Sequence, residues 1–261
     1  MTSRLLVSDA WCMPSMPDAI VLCGGAGLRL RSVIGDAPKG MADVAGRPFL
    51  ELLLRQLRRH GVERAILAVG YQKDLIHSHF GERAFGLHLA YSVESFPLGT
   101  GGALRNAADL IESDDVLVMN GDSYTDADLC RFVVDHHEAT ADLSVVVVSA
   151  DGRGDCGSVL IDGSGKLAGF AEKQDSFHAP YVNAGIYMMS RQMLYEIPTG
   201  LEVSLERELL PRWLRQGKYI KGFVCSGRCI DIGTPERYRS AQDILARVEV
   251  DASAPQRESQ L

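Results

Sequence analysis

Apolar residues are laid out along this chain in two patterns, short unbroken runs and longer segments in which they return every three or four positions. The runs at 19–23, 65–69, 87–91, 116–119 and 142–149 predict strands, and the periodic segments near 48–60, 73–80, 101–111 and 127–138 predict helices between them. Unbroken runs suit strands buried on both faces, so the alternating order predicts an α/β fold around a mostly parallel sheet. Leu50, Leu53, Leu54 and Leu57 fall at i, i+3, i+4 and i+7, the stripe of a buried helix face, with Pro48 placed to begin that helix and Gly61 to end it.

After residue 150 the rhythm changes. Runs at 157–161, 166–170 and 184–189 predict strands joined by turns, which makes a mixed-sheet extension or a small lobe. Residues 202–216 predict a helix with Leu205, Leu209 and Leu210 inward, kinked or divided at Pro211. The stretch 224–231 returns toward the first half, and Thr234 and Pro235 open a last helix over 235–247. Residues 1–17 and 248–261 are expected to be a flexible N-terminal extension and a flexible tail around a domain at 18–247.

With 261 residues and 46% hydrophobic content, the chain can bury a substantial core without metal or disulfide staples. A net charge of −7 argues against extended contact with a nucleic-acid backbone, while leaving room for a local basic pocket. Six cysteines without paired CxxC motifs suit reduced thiols and a cytoplasmic setting. No apolar run reaches the length of a membrane span.

The chemistry concentrates at turns. Residues 20–31, IVLCGGAGLRLR, set a strand against Gly24, Gly25 and Gly27, where backbone N–H groups can face an anion, followed by Arg29 and Arg31. The stretch has neither the GxGxxG nor the GxxxxGK[ST] order, so on its own it is either a phosphate cradle or a plain turn. Lys39 lies in a turn-rich connection suited to neutralising a triphosphate. In ESFPLGTGGAL (94–104), Glu94 can accept from the two adjacent N–H donors of guanine, or be a surface acid. Thr100 can hold base or ribose, or cap the helix whose N-terminus could face phosphate. Asp122 closes a strand in MNGD, and Asp231 follows a second apolar approach; together they could hold Mg²⁺ through oxygen ligands, or cap turns. Asp126 and Asp128 suit capping of the next helix. Glu172, Lys173 and Asn183 could read sugar hydroxyls and hold a phosphate, although a salt bridge and a turn explain them equally.

In this order, LCGGAGLRL, APKGMADVAGRPFL, PLGTGGAL, MNGDS, FAEK, VNAGIY and IDIGTP resemble the motifs of the sugar-1-phosphate nucleotidyltransferases over roughly residues 18–245. The resemblance is closest to the D-glycero-α-D-manno-heptose 1-phosphate guanylyltransferases, followed by the mannose-1-phosphate enzymes. It implies a Rossmann-like nucleotidyltransferase fold with a small sugar-binding lobe, in which 18–150 mainly binds nucleotide and 151–247 mainly binds sugar phosphate and supplies the second metal ligand. It also implies GTP and heptose 1-phosphate as substrates, Mg²⁺ dependence, pyrophosphate release and a homo-oligomer. By the same resemblance Gly24, Gly25, Gly27, Arg29 and Lys39 belong to the triphosphate loop, and Leu22, Glu94, Pro97, Gly99 and Thr100 to the base and ribose. Asp122 and Asp231 become metal ligands, and Gly157, Glu172, Lys173, Asn183 and Gly185 sugar-phosphate positions. Arg29, Lys39, Asp122, Lys173 and Asp231 form the implied catalytic set. The sequence departs from the family at Leu28, usually threonine, at Gly40, usually proline, and at Cys156, where an aromatic is frequent. These departures predict a looser Lys39 loop and keep a catalytically quiet sugar-nucleotide sensor as one alternative to the heptose enzyme, the other being a mannose-1-phosphate or other hexose-1-phosphate enzyme.

Overall fold

The apolar runs become strands of one sheet, and the periodic segments become the helices that cover it. The computed structural model describes residues 15–25, 27–150, 157–171 and 179–253. In chain order they form β1 (Asp18–Leu22), α1 (Arg31–Ile34), β2 (Asp43–Val44), β3 (Arg47–Pro48), α2 (Phe49–Arg59), β4 (Arg64–Val69), α3 (Lys73–Phe80), β5 (Arg83–Ala84), β6 (Leu87–Val93) and α4 (Gly99–Ala107). There follow β7 (Asp115–Asn120), β8 (Ser123–Thr125), α5 (Leu129–Ala139), β9 (Leu143–Ser149), β10 (Ser158–Ile161), β11 (Leu167–Ala171), β12 (Tyr181–Ser190) and α6 (Arg191–Tyr195). Then come a wide helical turn (Leu205–Leu209), α7 (Leu210–Arg215), β13 (Ile220–Val224), β14 (Cys229–Asp231) and α8 (Pro235–Ser253).

Among the described residues ten strands share the central sheet. Its main path runs β11-β10-β12-β7-β1-β4-β6-β5, and β9 joins through β12 with β13 beyond it. β7, β1, β4 and β6 are parallel, as the alternating pattern predicts. The second half enters as the expected mixed extension, because β12 lies antiparallel to β7, β9 and β10. The middles of β1, β4 and β7 are apolar because successive side chains feed opposite buried faces. Ala19, Val21, Leu117 and Met119 pack with α2, α3, α5 and α8 on one face. Ile20, Val116 and Val118 pack with α4, α6 and α7 on the other. No helix of the described residues is long and apolar enough to cross a membrane.

The predicted punctuation acts as expected at several ends. Gly61, at φ +86°, closes α2 through Gly61 N–H to Arg58 O at 3.0 Å and Val62 N–H to Leu57 O at 3.1 Å, a pairing that satisfies two terminal carbonyls. Asp128 caps α5 by accepting from Arg131 N–H at 2.9 Å. The helix expected over 202–216 starts later and is divided: a turn with a Leu209 N–H to Ser204 O bond of 3.1 Å leads into α7, whose first turn carries Pro211. Leu205, Leu209 and Leu210 are fully buried. Residues 1–14 and 254–261, most of the expected extension and tail, lie outside the described residues; Met16 packs on the core beside Gly61.

The glycines of α4 answer to a close backbone approach. A Cβ at Gly102 would lie 2.5 Å from Leu201 O and 2.9 Å from Leu98 Cβ, and one at Gly99 would lie 2.6 Å from Val203 O. Gly102→Ala is therefore expected to lower stability by about 1–3 kcal/mol, read as an earlier midpoint in urea unfolding. Gly163→Ala, where a Cβ meets nothing within 4 Å, leaves the midpoint in place. An unchanged midpoint for Gly102→Ala would contradict the close approach.

Candidate active site

The carboxyl ends of β1, β4, β6 and β7 open onto a cavity of about 630 Å³, the position where open parallel sheets bind ligands. Leu22, Gly24, Gly25, Glu94, Pro97, Gly99, Thr100 and Asp122 line it, so most of the expected nucleotide positions meet in one place. Gly27 stands behind this wall: at φ +59° it folds the loop onto the stem of Lys39, where a Cβ would lie 3.2 Å from Lys39 Cβ. Arg29 follows on an exposed turn and has no partner among the described residues, whereas Arg31 is paired with Asp36 at the surface.

Glu94 forms one end of the cavity. A Cβ at Gly24 would lie 3.3 Å from its Oε1, and one at Gly70 3.7 Å from its Oε2, so the two glycines admit the carboxylate. Its Oε2 accepts from Leu98 N–H at 3.3 Å. Burial raises the Glu94 pKa above the ordinary carboxyl value, and the Leu98 hydrogen bond only partly offsets that.

The start of α4 also makes contacts within the chain. Gly101 N–H and Gly102 N–H donate to Val203 O at 2.8 and 3.2 Å, so a neighbouring carbonyl holds two of the N–H groups in the first turn of the helix. The Thr100 hydroxyl donates to Glu206 Oε2 at 2.7 Å and accepts from Leu205 N–H at 2.8 Å. It thus ties α4 to the segment before α7 from a position in the cavity wall.

At the other end, two acids distant in sequence are joined by a backbone ribbon. β8 pairs antiparallel with β14 so that Asp231 faces Ser123, and Ile232 N–H donates to Asp122 O at 3.0 Å. The chain can turn into Asp122 because its neighbour is Gly121, where a Cβ would lie 2.6 Å from Leu22 O. Asp122 Oδ2 lies 2.5 Å from Lys39 Nζ. Asp231 Oδ1 accepts from Gly233 N–H at 2.7 Å, and its Oδ2 lies 2.6 Å from Arg237. A Cβ at Gly233 would lie 3.5 Å from Lys39 Nζ and 2.8 Å from Asp231 Oδ1, so the ammonium and the second carboxylate meet over that glycine.

These acids pass a chemical test for Mg²⁺. Both are hard oxygen donors on adjacent backbones, and a cationic ammonium already bonds one of them; a metal that keeps waters and takes phosphate oxygens needs only one or two protein carboxylates. No group of three His, Cys, Asp or Glu that could hold a metal occurs among the described residues. The Lys39 loop is also firmer than Gly40 predicts: Gly40 is buried, and Met41 N–H to Pro38 O and Ala42 N–H to Lys39 O close the turn at 2.8 and 3.1 Å.

Asn183 and Gly185 lie on β12 behind Asn120. Asn183 Oδ1 accepts from Gly185 N–H at 3.0 Å, and Asn183 N–H donates to Gly157 O at 2.9 Å, which links three expected sugar-phosphate positions. Gly185, at φ +75°, has room for no side chain, since a Cβ would lie 2.8 Å from Asn120 Nδ2. Cys156, Glu172 and Lys173 lie outside the described residues. The sequence reading missed Gly70, Tyr71, Ser95, Phe96, Asn120 and Glu202 in the cavity wall. Asn120 carries the clearest overlooked signal, a polar residue ending an apolar strand, and its buried Oδ1 has no partner.

A nucleotide-sized cavity at the ends of parallel strands, with two cation-paired acids at its edge, defines a nucleotide-handling α/β protein. Residues 18–247 match the family model described as nucleotidyl transferase, and the chain belongs to that family. It is 34% identical over 229 residues to a D-glycero-alpha-D-manno-heptose 1-phosphate guanylyltransferase of Aneurinibacillus thermoaerophilus, covering 87% of this chain and 98% of the relative. It is 37% identical over 231 residues to a mannose-1-phosphate guanylyltransferase of Mycobacterium tuberculosis, covering 87% of this chain and 64% of that longer relative. The crystal structure of HddC from Yersinia pseudotuberculosis complexed with GMP-PN superimposes with a TM-score of 0.77 at 35% identity, over 88% of this chain and all of that one.

Beneath the glycine loop, Cys23 is buried, its Sγ donates to Ala68 O at 3.3 Å, and burial followed by the nearby Glu94 charge pushes its pKa up to about 12. Cys23 is therefore expected to resist iodoacetamide at pH 8 in the folded protein and to react in urea, as read by peptide mass spectrometry. Rapid labelling of the folded protein would contradict this packing.

Proposed function

We propose that this chain transfers the guanylyl group of GTP to D-glycero-α-D-manno-heptose 1-phosphate, giving GDP-D-glycero-α-D-manno-heptose and pyrophosphate. The observation that carries this reading is the meeting of Asp122, Asp231 and Lys39 at the edge of the cavity whose far end holds Glu94. The heptose-specific relatives, which this chain covers almost end to end, and the GMP-PN complex of HddC support the choice of sugar and base.

An oxygen of the sugar phosphate attacks the α-phosphorus of GTP, a new P–O bond forms, and the bond to pyrophosphate breaks. The incoming phosphate is already ionised near neutral pH, so no protein nucleophile is needed; the barrier lies in bringing two polyanions together. Lys39 offsets their repulsion by exchanging its carboxylate partner for a phosphate oxygen, and Arg29 and Lys173 add positive charge from the glycine loop and the sugar side. Asp122 and Asp231 would hold Mg²⁺, which supplies charge neutralisation across the phosphates. Glu94 accepts from the guanine N–H edge, and Asn120 Oδ1 is a ready acceptor for a ligand hydroxyl. Glu172, Asn183, Gly185 and Gly157 hold the sugar phosphate. The reading assigns the reaction to the cytoplasm, where GTP is available and Cys23, Cys130, Cys225 and Cys229 stay reduced. It also assigns the chain to a homo-oligomer, as the family resemblance implies.

Mannose 1-phosphate is the second reading, favoured by the Mycobacterium relative. Pyrophosphate release from four nucleoside triphosphates crossed with heptose, mannose and glucose 1-phosphates decides between them. GTP with heptose 1-phosphate is expected to give the highest kcat/KM; mannose turned over at least as efficiently overturns the heptose assignment. Binding without turnover in every combination favours a sensor. Asp122→Asn and Asp231→Asn are each expected to lower kcat/KM by about a hundredfold or more while leaving the fold intact. Unchanged Mg²⁺-dependent kinetics in both would contradict their assignment.

Glu94→Gln is expected to cut the preference for GTP over ATP by about tenfold or more, because the replacement loses a charged acceptor. Glu94 is ionised above its raised pKa, so GTP affinity falls as pH drops through that value, beginning at a higher pH than for an ordinary carboxyl. Titration calorimetry over a pH series checks this, and Glu94→Gln should lack the acidic limb.

A further inference from the structure

Glu206 stands outside the cavity wall, yet three hydroxyls converge on it. Thr100 donates to Oε2 at 2.7 Å, Ser204 to Oε2 at 3.4 Å and Tyr187 to Oε1 at 3.1 Å. Among the described residues no cation pairs with this half-buried carboxylate. An ionised carboxylate can only accept, so it fixes the direction of every hydrogen bond it makes. Tyr187 sends its proton to Glu206, and its oxygen is then an acceptor for Asn183 Nδ2 at 2.6 Å. The Asn183 amide is held from its other side as well, because its Oδ1 accepts from Gly185 N–H. Its second Nδ2 proton is left to donate elsewhere.

The opposite arm runs into the nucleotide wall. Thr100 lines the cavity, and its hydroxyl oxygen also accepts from Leu205 N–H. The backbone carrying Glu206 is itself pressed onto α4 through the Val203 carbonyl bonds. The wide turn at Leu205–Leu209 is the local irregularity that presents Glu206 between α4 and β12.

We propose that Glu206 is a positioning residue that couples the two substrate half-sites, so that occupation of either one strengthens binding at the other. This rests on the reading of GTP and a sugar 1-phosphate as substrates. A ligand that fixes Thr100 and α4 fixes the carboxylate, and the carboxylate then holds Tyr187 and Asn183 in one hydrogen-bonding sense before the second ligand arrives. Glutamine at this position has the same shape but brings a donor of its own, so the chain from Thr100 to Asn183 loses its single direction.

The test is titration calorimetry with α,β-methylene GTP and with D-glycero-α-D-manno-heptose 1-phosphate, each alone and each with the other saturating. In the wild-type protein each ligand is expected to tighten the other by about fivefold or more. Glu206→Gln should reduce that mutual factor to below about twofold with an unchanged thermal midpoint. Tyr187→Phe breaks only the sugar arm; it should lose the same factor while keeping the affinity for α,β-methylene GTP alone, and it decides the matter if Glu206→Gln fails to fold. A Glu206→Gln protein that keeps the wild-type factor, or that weakens both ligands equally whether or not the other is present, overturns the coupling role. Wild-type protein that binds both ligands without mutual tightening overturns this inference alone. Wild-type protein that binds neither overturns the substrate reading, and the coupling with it.

Discussion

The antiparallel register of β8 and β14 is the constraint on which the site depends, because it sets Asp231 opposite Ser123 and beside Asp122. Side chains on a ribbon alternate between faces, so a slip of one residue would turn Asp231 away from its partner acid. The register is anchored at both ends by backbone bonds, Ile232 N–H to Asp122 O and Asp126 N–H to Arg228 O. On one flank α8 presents Arg237 to Asp231. On the other, Lys39 arrives on a turn closed by its own hydrogen bonds and braced by Gly27. The two acids are each matched by a cation of the chain, Lys39 for Asp122 and Arg237 for Asp231, so the pair carries little uncompensated negative charge.

A second constraint works on the opposite wall. Helix N-termini attract anions because their first N–H groups lack internal partners. In α4 two N–H groups of the first turn, those of Gly101 and Gly102, are taken by Val203, a residue from the far half of the chain. The glycines there allow two pieces of backbone to touch. A glycine-rich helix start therefore serves two different ends, ligand approach and chain packing, and local sequence does not separate them.

Much of the architecture was legible because periodicity reports burial. The helix stripe through Leu50, Leu53, Leu54 and Leu57 and the strands at β1, β4, β7 and β9 fall where the pattern puts them. So do the ends marked by Gly61 and Asp128. The division near Pro211 was visible as a choice between kink and break, but the widened turn before it was not, since nothing in LEREL distinguishes that turn from a regular one. In the site, Asp122 and Asp231 could be picked out as acids at strand ends, whereas their meeting depends on pairing between distant strands. The partners of Thr100 were hidden for the same reason: Glu206 and Leu205 come from another part of the chain.

The mixed sheet has a consequence for how this chain can be cut or recombined. β12 is hydrogen-bonded along one side to β9 and along the other to β7 and β10, so it knits the parallel core to everything after residue 150. A fragment ending near that residue would leave β7 with a bare row of amides and carbonyls beside a fully apolar surface, the kind of open edge that recruits other chains into aggregates. The two halves of the chain are therefore poor units to exchange among relatives as modules.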